Sequence, residues 1–341
     1  MRQVKRGESG LSLVVGVDKP SGMTSHDVVN RCRRIFGEKR VGHTGTLDPL
    51  ASGVLPICVG PATRLGAYLT GHDKAYRATI AFGVGTDTDD CEGTVTRTGE
   101  APVEVGDRSF AEQAVEQMLG PQKQMPPAYS AIKVNGKKSY EAAREGHIIE
   151  LSPRDIEVYS AKLIAVRPGV GEQLPEWDVE FRVSKGTYIR ALARDIGHSL
   201  GCPAHVGALR RTAAGAIGIA DCVTLEVLEE MGERAALDPL KVLGMRFIYL
   251  DDAAAARVRN GNSLDGRVIE LFERRSVDPA AELCACTAGV RPSCELPQNG
   301  EVVALVADNR IVALYEYYVD TGRFAPRCVF PIGVSRGCSD L

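Results

Sequence analysis

The segment from residue 41 to residue 60, VGHTGTLDPLASGVLPICVG, constrains this chain more than any other. It holds four glycines and two prolines, which interrupt regular structure, yet it carries the polar residues His43, Thr44, Asp48 and Ser52. We therefore predict a loop that displays polar groups at close quarters. Because Pro49 follows it, Asp48 is biased toward an extended backbone conformation. The flanking glycines have no side chain, so a substrate can approach the backbone of the loop closely. Such a loop can present one carboxylate rigidly.

Strands and helices are both expected around this loop. Leu11–Val17 is an apolar run typical of a buried strand, and the alternating stretch Tyr76–Phe82 predicts another strand. Between them we expect a helix with Ser25 as its N-cap and Gly37 as its stop. A short helix is expected at Ala62–Leu69. This mixture predicts an α+β domain with a mixed sheet.

A second strand and helix pair follows later in the chain. Val179–Val183 alternates like a strand, and the SKGTY turn after it leads into a helix with an apolar stripe at Ile189, Leu192, Ile196 and Leu200. Arg190 and Arg194 lie one turn apart on the flank of that helix. Residues from about 122 to 152 interrupt the pattern with PPAYS and GKKSYEAAREG, and we expect an inserted, mobile flap there.

The composition shifts near residue 245, which predicts a domain boundary. Val302–Val306 and Ile311–Tyr317 flank the pair Asp308–Asn309, a pattern that predicts a β-hairpin in a small β-rich domain. Residues 275–299 lack a clear periodicity, and we expect a loop insertion over about 269–299. We therefore expect a catalytic domain over residues 11–245 and a terminal domain over residues 246–341.

Charge and composition limit the partners of the chain. Its net charge is −3, so any nucleic acid must be held by local patches, and three basic windows stand out: +4 over residues 31–40, +3 over 121–147 and +5 over 182–211. No apolar run approaches the roughly 18 residues of a membrane-spanning helix. The ten cysteines are mostly isolated, which favours reduced thiols. We expect a cytoplasmic protein.

Several familiar sites are disfavoured by spacing. GVGTDT at 83–88 lacks the third glycine of a dinucleotide loop, and GKKS at 136–139 lacks the upstream glycine of a P-loop. The acidic segment TDTDDCEG places Glu92 where a calcium loop needs a glycine, so a solvated loop is favoured over a metal site. Cys284, Cys286 and Cys294 fit no common zinc finger. We expect neither a metal nor a nucleotide cofactor.

Five segments together carry a family resemblance. They are DKPSGMTSHDVV, GHTGTLDPLASGVLPICVG, DKAYRA, PPAYSAIKVNGKKSYEAAREG, and SKGTYIRALARDIG with the CPAHVGALRR that follows it. In order and spacing, residues from about 12 to 215 resemble the bacterial tRNA pseudouridine synthase B family. The terminal region resembles an RNA-binding PUA-type domain only weakly, and the insertion near 269–299 departs from that pattern.

The resemblance implies isomerisation of uridine 55 in the T loop of tRNA to pseudouridine, without a cofactor. This exchange of an N-glycosidic for a C-glycosidic bond is redox-neutral and needs one well-placed carboxylate. By resemblance that group is Asp48, which acts as a nucleophile on sugar or base, or stabilises charge and moves a proton. Arg190 in GTYIR pairs with Asp48 and favours its ionised form.

Other positions take their roles from the same resemblance. Tyr76 stacks on the flipped uracil and assists proton transfer, while Tyr188 and Leu209 complete the pocket. His43 is inserted into the T loop where the target nucleotide leaves its stack. Lys19, counted with the substrate-binding residues, braces the catalytic loop rather than performing chemistry.

The implied architecture is a pseudouridine synthase domain with a mixed, largely antiparallel sheet and an RNA-clamping insertion, followed by a small PUA-like β-barrel. Its partner is the T stem-loop of tRNA, with no membrane and no nucleotide cofactor, and a monomer is expected. Two alternatives stay open. One is a tRNA-binding or tRNA-folding factor in which catalysis is secondary, and the other is the same chemistry on another RNA.

Overall fold

The computed structural model describes residues 9–130, 132–134, 137–139, 151–171, 173–266, 269–274 and 290–337. Within these ranges the α-helices are α1 Ser25–Phe36, α2 Gly66–Leu69, α3 Arg108–Glu116, α4 Ile189–Ser199, α5 Leu225–Met231, α6 Pro239–Leu243 and α7 Asp252–Arg259. Short 3-10 helices span Gly60–Leu65, Val103–Gly106, Ile219–Asp221 and Gly232–Ala235. Among the described residues, no helix is long and apolar enough to cross a membrane.

A large sheet forms the first part of the chain. Its strands are β1 Leu13–Lys19, β2 Val41–His43, β3 Ser52–Val59, β4 Lys74–Phe82, β7 Gly120–Gln124, β10 Arg154–Arg167, β11 Glu176–Val183, β12 Ala204–Ala214, β13 Ile217–Gly218, β14 Cys222–Val223 and β15 Ala236–Leu237. The main path runs β14-β1-β3-β12-β4-β11-β10-β7, with β2 on β3, β13 on β12 and β15 on β1. Two small hairpins lie apart from it: β5 Val84–Thr86 with β6 Val95–Thr98, and β8 Lys133–Val134 with β9 Lys137–Lys138.

A second sheet follows residue 245. It is ordered β17-β22-β21-β20-β16-β18-β19, and its strands are β16 Phe247–Tyr249, β17 Leu264–Asp265, β18 Phe272–Arg274, β19 Val290–Pro292, β20 Val302–Ala307, β21 Arg310–Tyr318 and β22 Arg323–Ser335. Strands β20 and β21 form the predicted hairpin. Asp308 and Asn309 turn it with φ values of 51° and 53°, the left-handed conformation that this type of turn requires.

Both sheets are largely antiparallel, and the parallel pairs are β1 with β14, β3 with β12, and β16 with β20. The predicted mixed α+β fold is confirmed at this level. The sheets share one hydrophobic cluster, in which Val14 and Cys58 of the first sheet pack in the same group as Phe247 and Phe330 of the second. The backbone N–H of Ser335 also donates to the carbonyl of Ser12 at 2.8 Å.

Three predictions of secondary structure need correction. Thr24, not Ser25, is the N-cap of α1; its hydroxyl accepts from Asp27 N–H in a capping box. The predicted loop 41–60 is largely strand, because β2 and β3 leave only residues 44–51 as the loop between them. The short helix at 62–69 is a 3-10 helix through Leu65 before it becomes α2.

Parts of the two predicted insertions lie outside the described residues. These are 131, 135–136 and 140–150 of the flap, and 275–289 of the segment 269–299, which includes Cys284 and Cys286. The described start of the flap is β7, which pairs with β10.

Candidate active site

The loop that carries Asp48 is anchored to the start of helix α1. The hydroxyl of Ser25 accepts from the backbone N–H of Leu47 at 2.8 Å and donates to the carbonyl of the same residue at 2.9 Å. Ser25 is buried, so both bonds are shielded from water. The residue immediately before Asp48 is therefore fixed to a rigid helix terminus.

Lys19 anchors the other side of the loop. Its ammonium donates to the carbonyls of Pro20 at 2.9 Å, Met23 at 2.5 Å and Pro49 at 3.3 Å. The side chain is fully buried, and burial lowers the pKa of Lys19 to about 8 against the opposing effect of Asp48. Lys19 thus contacts the loop that carries Asp48 through Pro49, as expected of a residue that braces this loop. Its place among the substrate-binding residues stays a prediction.

Arg211 supports the loop from β12, the strand that lies parallel to β3. Its guanidinium donates to the carbonyls of Gly45 at 3.0 Å, Thr46 at 3.3 Å and Val54 at 2.7 Å. The backbones of Gly53 and Arg211 approach so closely that a Cβ on Gly53 would lie 2.1 Å from the Arg211 carbonyl oxygen. Only glycine permits this approach, and Gly53 also has a φ of +103°.

Arg190 on helix α4 joins three loops at the site. Its Nε lies 2.9 Å from Oδ2 of Asp48, so the two side chains form an ion pair. The angle at the Nε–H group does not meet the geometry of a hydrogen bond. Nη1 donates to the carbonyl of Thr88 at 2.7 Å and lies 3.5 Å from the carboxylate of Asp90, and Nη2 donates to the carbonyl of Tyr129 at 2.9 Å. Arg190 is 4% exposed. The predicted pairing of Asp48 with Arg190 is therefore present in the geometry.

The acidic segment 86–93 lies against Arg190 and Arg194, and its prediction as a solvated loop is wrong for Asp89 and Asp90. Asp89 and Asp90 are buried, and Asp89 lies 2.9 Å from Arg194, one turn beyond Arg190 on α4. Burial raises the pKa of the Asp89 carboxyl, while Arg194 and Arg190 oppose the shift. The sequence signal for this network is the pair of adjacent acids, Asp89 and Asp90, together with two arginines that lie one helical turn apart.

The predicted base-binding residues line an open cleft of about 660 Å³ together with Asp48 and Arg190. Tyr76 and Leu209 reach it from the adjacent strands β4 and β12, and Tyr188 reaches it from the residue before α4. Burial raises the pKa of the Tyr188 hydroxyl. The cleft therefore brings two aromatic rings and an aliphatic wall to one carboxylate, which is the lining that a planar base requires.

Gln124 is a buried residue of the site that sequence reasoning did not find. It is 1% exposed at the end of β7, where its side-chain carbonyl accepts from Tyr188 N–H at 2.9 Å and its amide donates to the Tyr188 carbonyl at 3.1 Å. The amide therefore fixes the backbone from which Tyr188 projects. Its signal was weak, because a glutamine between Lys123 and Met125 carries no pattern of its own.

His43 lies at the end of β2, just before the loop that carries Asp48. It is half-buried and does not belong to the lining of the cleft as the described residues form it. Its Nδ1 accepts from the backbone N–H of Gly45 at 3.3 Å, and burial together with Arg211 lowers the pKa of the imidazole. A neutral ring beside the loop can stack on a base or form a hydrogen bond with one.

Among the residues that the structure describes, no group of three or more histidine, cysteine, aspartate or glutamate side chains is arranged to hold a metal ion. Cys294 is exposed and free, while the other two cysteines weighed as zinc ligands lie outside the described residues.

Comparison with known proteins gives a consistent family. The model of the TruB family pseudouridylate synthase N-terminal domain matches residues 33–189, and that of the tRNA pseudouridylate synthase B C-terminal domain matches residues 190–245. A tRNA pseudouridine synthase B of Mycobacteroides abscessus is 45% identical over 303 residues, which cover 88% of this chain and 91% of the relative. The corresponding protein of Geobacillus thermodenitrificans is 43% identical over 284 residues, covering 77% and 91%.

Solved structures share the fold at lower identity. An H/ACA RNP bound to a substrate RNA containing 2′-deoxyuridine contains a chain that is 21% identical, with a TM-score of 0.63 over 96% of this chain and 87% of that one. A Cbf5-Nop10-Gar1 complex contains one that is 22% identical, with a TM-score of 0.63 over 98% and 88%. At this identity the likeness concerns the fold alone.

Proposed function

This chain belongs to the TruB family of pseudouridylate synthases and is a tRNA pseudouridine synthase, and on that premise we propose that it isomerises uridine 55 in the T loop. One observation supports the proposal above all others. The carboxylate of Asp48 lines the cleft, is 35% exposed, and lies 2.9 Å from the buried guanidinium of Arg190. The cleft thus offers one accessible carboxylate beside a fixed positive charge.

The proposed reaction balances within the uridine itself. The N1–C1′ bond breaks and a C5–C1′ bond forms, while C5 loses a proton and N1 gains one. Atoms and electrons are unchanged, so the reaction consumes no oxidant, reductant or group donor. A carboxylate at C1′ or at the base is sufficient to act as nucleophile, or to stabilise positive charge and move the proton. We assign that role to Asp48.

The other cleft residues have proposed roles in holding the base. Uridine in a folded T loop must leave its stack before a carboxylate can reach it, so we propose that the target base flips into the cleft. Tyr76 then stacks on the uracil and assists proton transfer, and Tyr188 and Leu209 contact its remaining surface. His43, at the rim of the catalytic loop, occupies the place in the T loop that the base leaves.

We further propose that residues 11–245 are the catalytic domain and that residues 246–341 form a PUA-like domain that extends the tRNA contact. Segment 122–152 closes on the RNA as a clamp, its base being the pairing of β7 with β10. The protein acts in the cytoplasm as a monomer. The hydrophobic cluster shared by both sheets supports one continuous RNA-binding body rather than two independent modules.

The proposal is tested by the substitution Asp48→Asn. Purified variant and wild type are incubated with an unmodified tRNA transcript, and pseudouridine is mapped at nucleotide resolution under single-turnover conditions. We expect the wild type to modify position 55, and Asp48→Asn to lose turnover while its affinity for tRNA stays within a few fold. The affinity should persist because shape and basic residues, which this change leaves intact, supply it.

Asp320→Asn is the matched control, since it makes the same change at an exposed position in the turn between β21 and β22. It should behave like wild type. Turnover near the wild-type rate in Asp48→Asn would remove Asp48 as the catalytic group. Parallel loss of binding and rate would favour the tRNA-binding factor, and modification at a different nucleotide would favour another substrate.

A further inference from the structure

A second cleft lies beside the active cleft and is joined to it. Its volume is about 510 Å³, and it lies between the start of β4, the end of β12 and the segment 242–244. The two clefts share Gly71 and Lys74 in their linings. We call the two clefts together the trough: it extends from Asp48, past Lys74, to residues 242–244, which precede the second sheet.

The trough carries more positive charge than the protein neutralises. Its three carboxylates each have a cation nearby: Asp48 has Arg190, Asp155 has Lys123, and Asp73 has Arg182. Four further lining cations have no carboxylate within ion-pair distance among the described residues: Lys74, Arg154, Lys185 and Arg211. Arg154 and Lys185 are exposed and Arg211 is held by three carbonyls, whereas Lys74 is half-buried. A half-buried charge is normally paired, so among these four cations it is Lys74 that calls for an anion.

Lys74 is the member of this group that lies at the junction. Its ammonium donates to the carbonyls of Thr70 at 2.9 Å and His72 at 2.5 Å, which hold it in place. Within the described part of the chain, its third hydrogen meets no acceptor. A lysine fixed by two neutral carbonyls has a defined position and an uncompensated charge, as an anion-binding group requires.

We propose that Lys74 binds a phosphodiester group of the substrate tRNA, next to the target nucleotide, and that the second cleft holds the RNA backbone as it leaves the active cleft. The inference rests on the proposed function and adds a binding site to it. A phosphodiester fits because it carries one negative charge per nucleotide and has oxygens that accept from an ammonium.

Electrostatics of the free protein supports this site. Burial lowers the pKa of Lys74 to about 8, and the nearby cations Arg211 and Lys185 lower it further, while Asp73 opposes them. The imidazole of His72 is itself kept neutral, because burial and Lys74 lower its pKa. A bound phosphate would raise the pKa of Lys74. The affinity for tRNA should therefore be highest below about pH 8 and should fall as the pH rises above that value.

The experiment measures the Kd for an unmodified tRNA transcript from pH 6.5 to 9. We expect the wild type to bind about tenfold more weakly at pH 9 than at pH 7, because one pH unit above the pKa leaves about a tenth of Lys74 protonated. Lys74→Arg should lose this component, since a guanidinium stays charged. Titration of the RNA itself is common to both proteins, so the difference between them isolates the lysine.

A second readout separates phosphate contact from structural support. Lys74→Met should bind more weakly at pH 7, and the slope of log K against log salt should become shallower by about one phosphate contact. Lys162→Met is the matched control, because Lys162 is exposed on β10 and lines neither cleft. Fluorescence of Trp177 verifies that each variant is folded.

Two results would overturn the inference. One is the same pH profile in wild type and Lys74→Arg, and the other is a wild-type Kd and salt slope in Lys74→Met. Pseudouridine at position 55 is measured in the same samples. If the wild type forms it while Lys74→Met binds normally, only the phosphate site is wrong; if the wild type forms none, the proposed function itself fails and this inference fails with it.

Discussion

Replacement of Arg190 by methionine should weaken the fold and the reaction together. Methionine keeps the length and apolar character of the stem but removes the guanidinium, and with it the contacts to Asp48, Asp90, Thr88 and Tyr129. Two of these contacts are charge-assisted hydrogen bonds to carbonyls of different loops. The substitution therefore separates the elements that Arg190 now holds at one point.

The magnitude follows from burial. The side chains of Arg190 and Asp90 are 5% and 6% exposed, so removing the arginine leaves a carboxylate in an environment with little water. Breaking a buried ion pair by removing one partner costs about 3–5 kcal/mol, and we expect the free energy of unfolding to fall by that amount. Asp48 adds little to this figure because it is more than a third exposed. Arg190→Lys should lose about half as much, since an ammonium reaches fewer of the acceptors.

Urea denaturation followed by tryptophan fluorescence measures this effect. The chain has one tryptophan, Trp177, which is fully buried in β11, packs edge-on against Phe82 at 4.5 Å and donates to the carbonyl of Val105. Its emission reports the unfolding of the first sheet. Arg108→Met is the control, because Arg108 forms an exposed ion pair on α3 and its loss should cost less than about 0.5 kcal/mol.

A double variant tests the reasoning further. Adding Asp90→Asn to Arg190→Met removes the uncompensated charge and should recover part of the lost stability, because an amide oxygen can keep the bonds from Thr88 Oγ1 and Glu92 N–H. Turnover should not recover, since Asp48 still lacks its cation; misplacement of a reacting group by about an ångström costs roughly a hundredfold in rate. Two results would refute this account of Arg190. One is a free energy of unfolding for Arg190→Met that lies within about 1 kcal/mol of the wild-type value, and the other is recovery of turnover in the double variant.

Two further changes test the scaffold. Hydrogen bonds from Arg167 lower the pKa of Asp178 from 3.8 to about 2. This carboxylate therefore contributes about 2 kcal/mol of stability above pH 4, and the contribution is lost as the pH falls toward 2. Asp178→Asn should remove this pH dependence from acid unfolding curves, and an unchanged curve would contradict the prediction. Gly53→Ala should destabilise the protein by more than about 3 kcal/mol, measured by thermal or urea unfolding, because the new methyl group meets the Arg211 carbonyl; a normal unfolding midpoint would show that the two strands can separate without loss.

Local patterns in the sequence predicted the elements whose causes are local. The hairpin at 302–318 follows from two alternating strands around Asp308 and Asn309, residues that tolerate the left-handed conformation. The end of α1 at Gly37 is likewise set by one residue in that conformation. The contact between Asp48 and Arg190 was predicted from family resemblance, because nothing in the spacing of residues 142 positions apart implies that they meet.

Predictions failed where distant residues decide the outcome. Asp89 and Asp90 appeared solvated because the arginines that neutralise them lie on a helix about a hundred residues later. Gly53 and Pro56 predict a loop where the structure has strand β3, whose apolar pattern comes from Val54, Leu55, Ile57, Cys58 and Val59. Its position inside the sheet, between β1 and β12, overrides the usual effect of those two residues.

The loop that carries Asp48 and the carboxylate of Asp48 are held by different means. The loop is fixed through backbone groups: Ser25 bonds Leu47, Lys19 bonds Pro49, and Arg211 bonds Gly45 and Thr46. None of these bonds involves the side chain of Asp48, whose charge is balanced separately by Arg190. Loss of the Asp48 charge should therefore leave the loop in place, whereas loss of Arg190 disturbs both charge and structure. This separation makes Asp48→Asn a test of chemistry, and Arg190→Met a test of the framework that positions it.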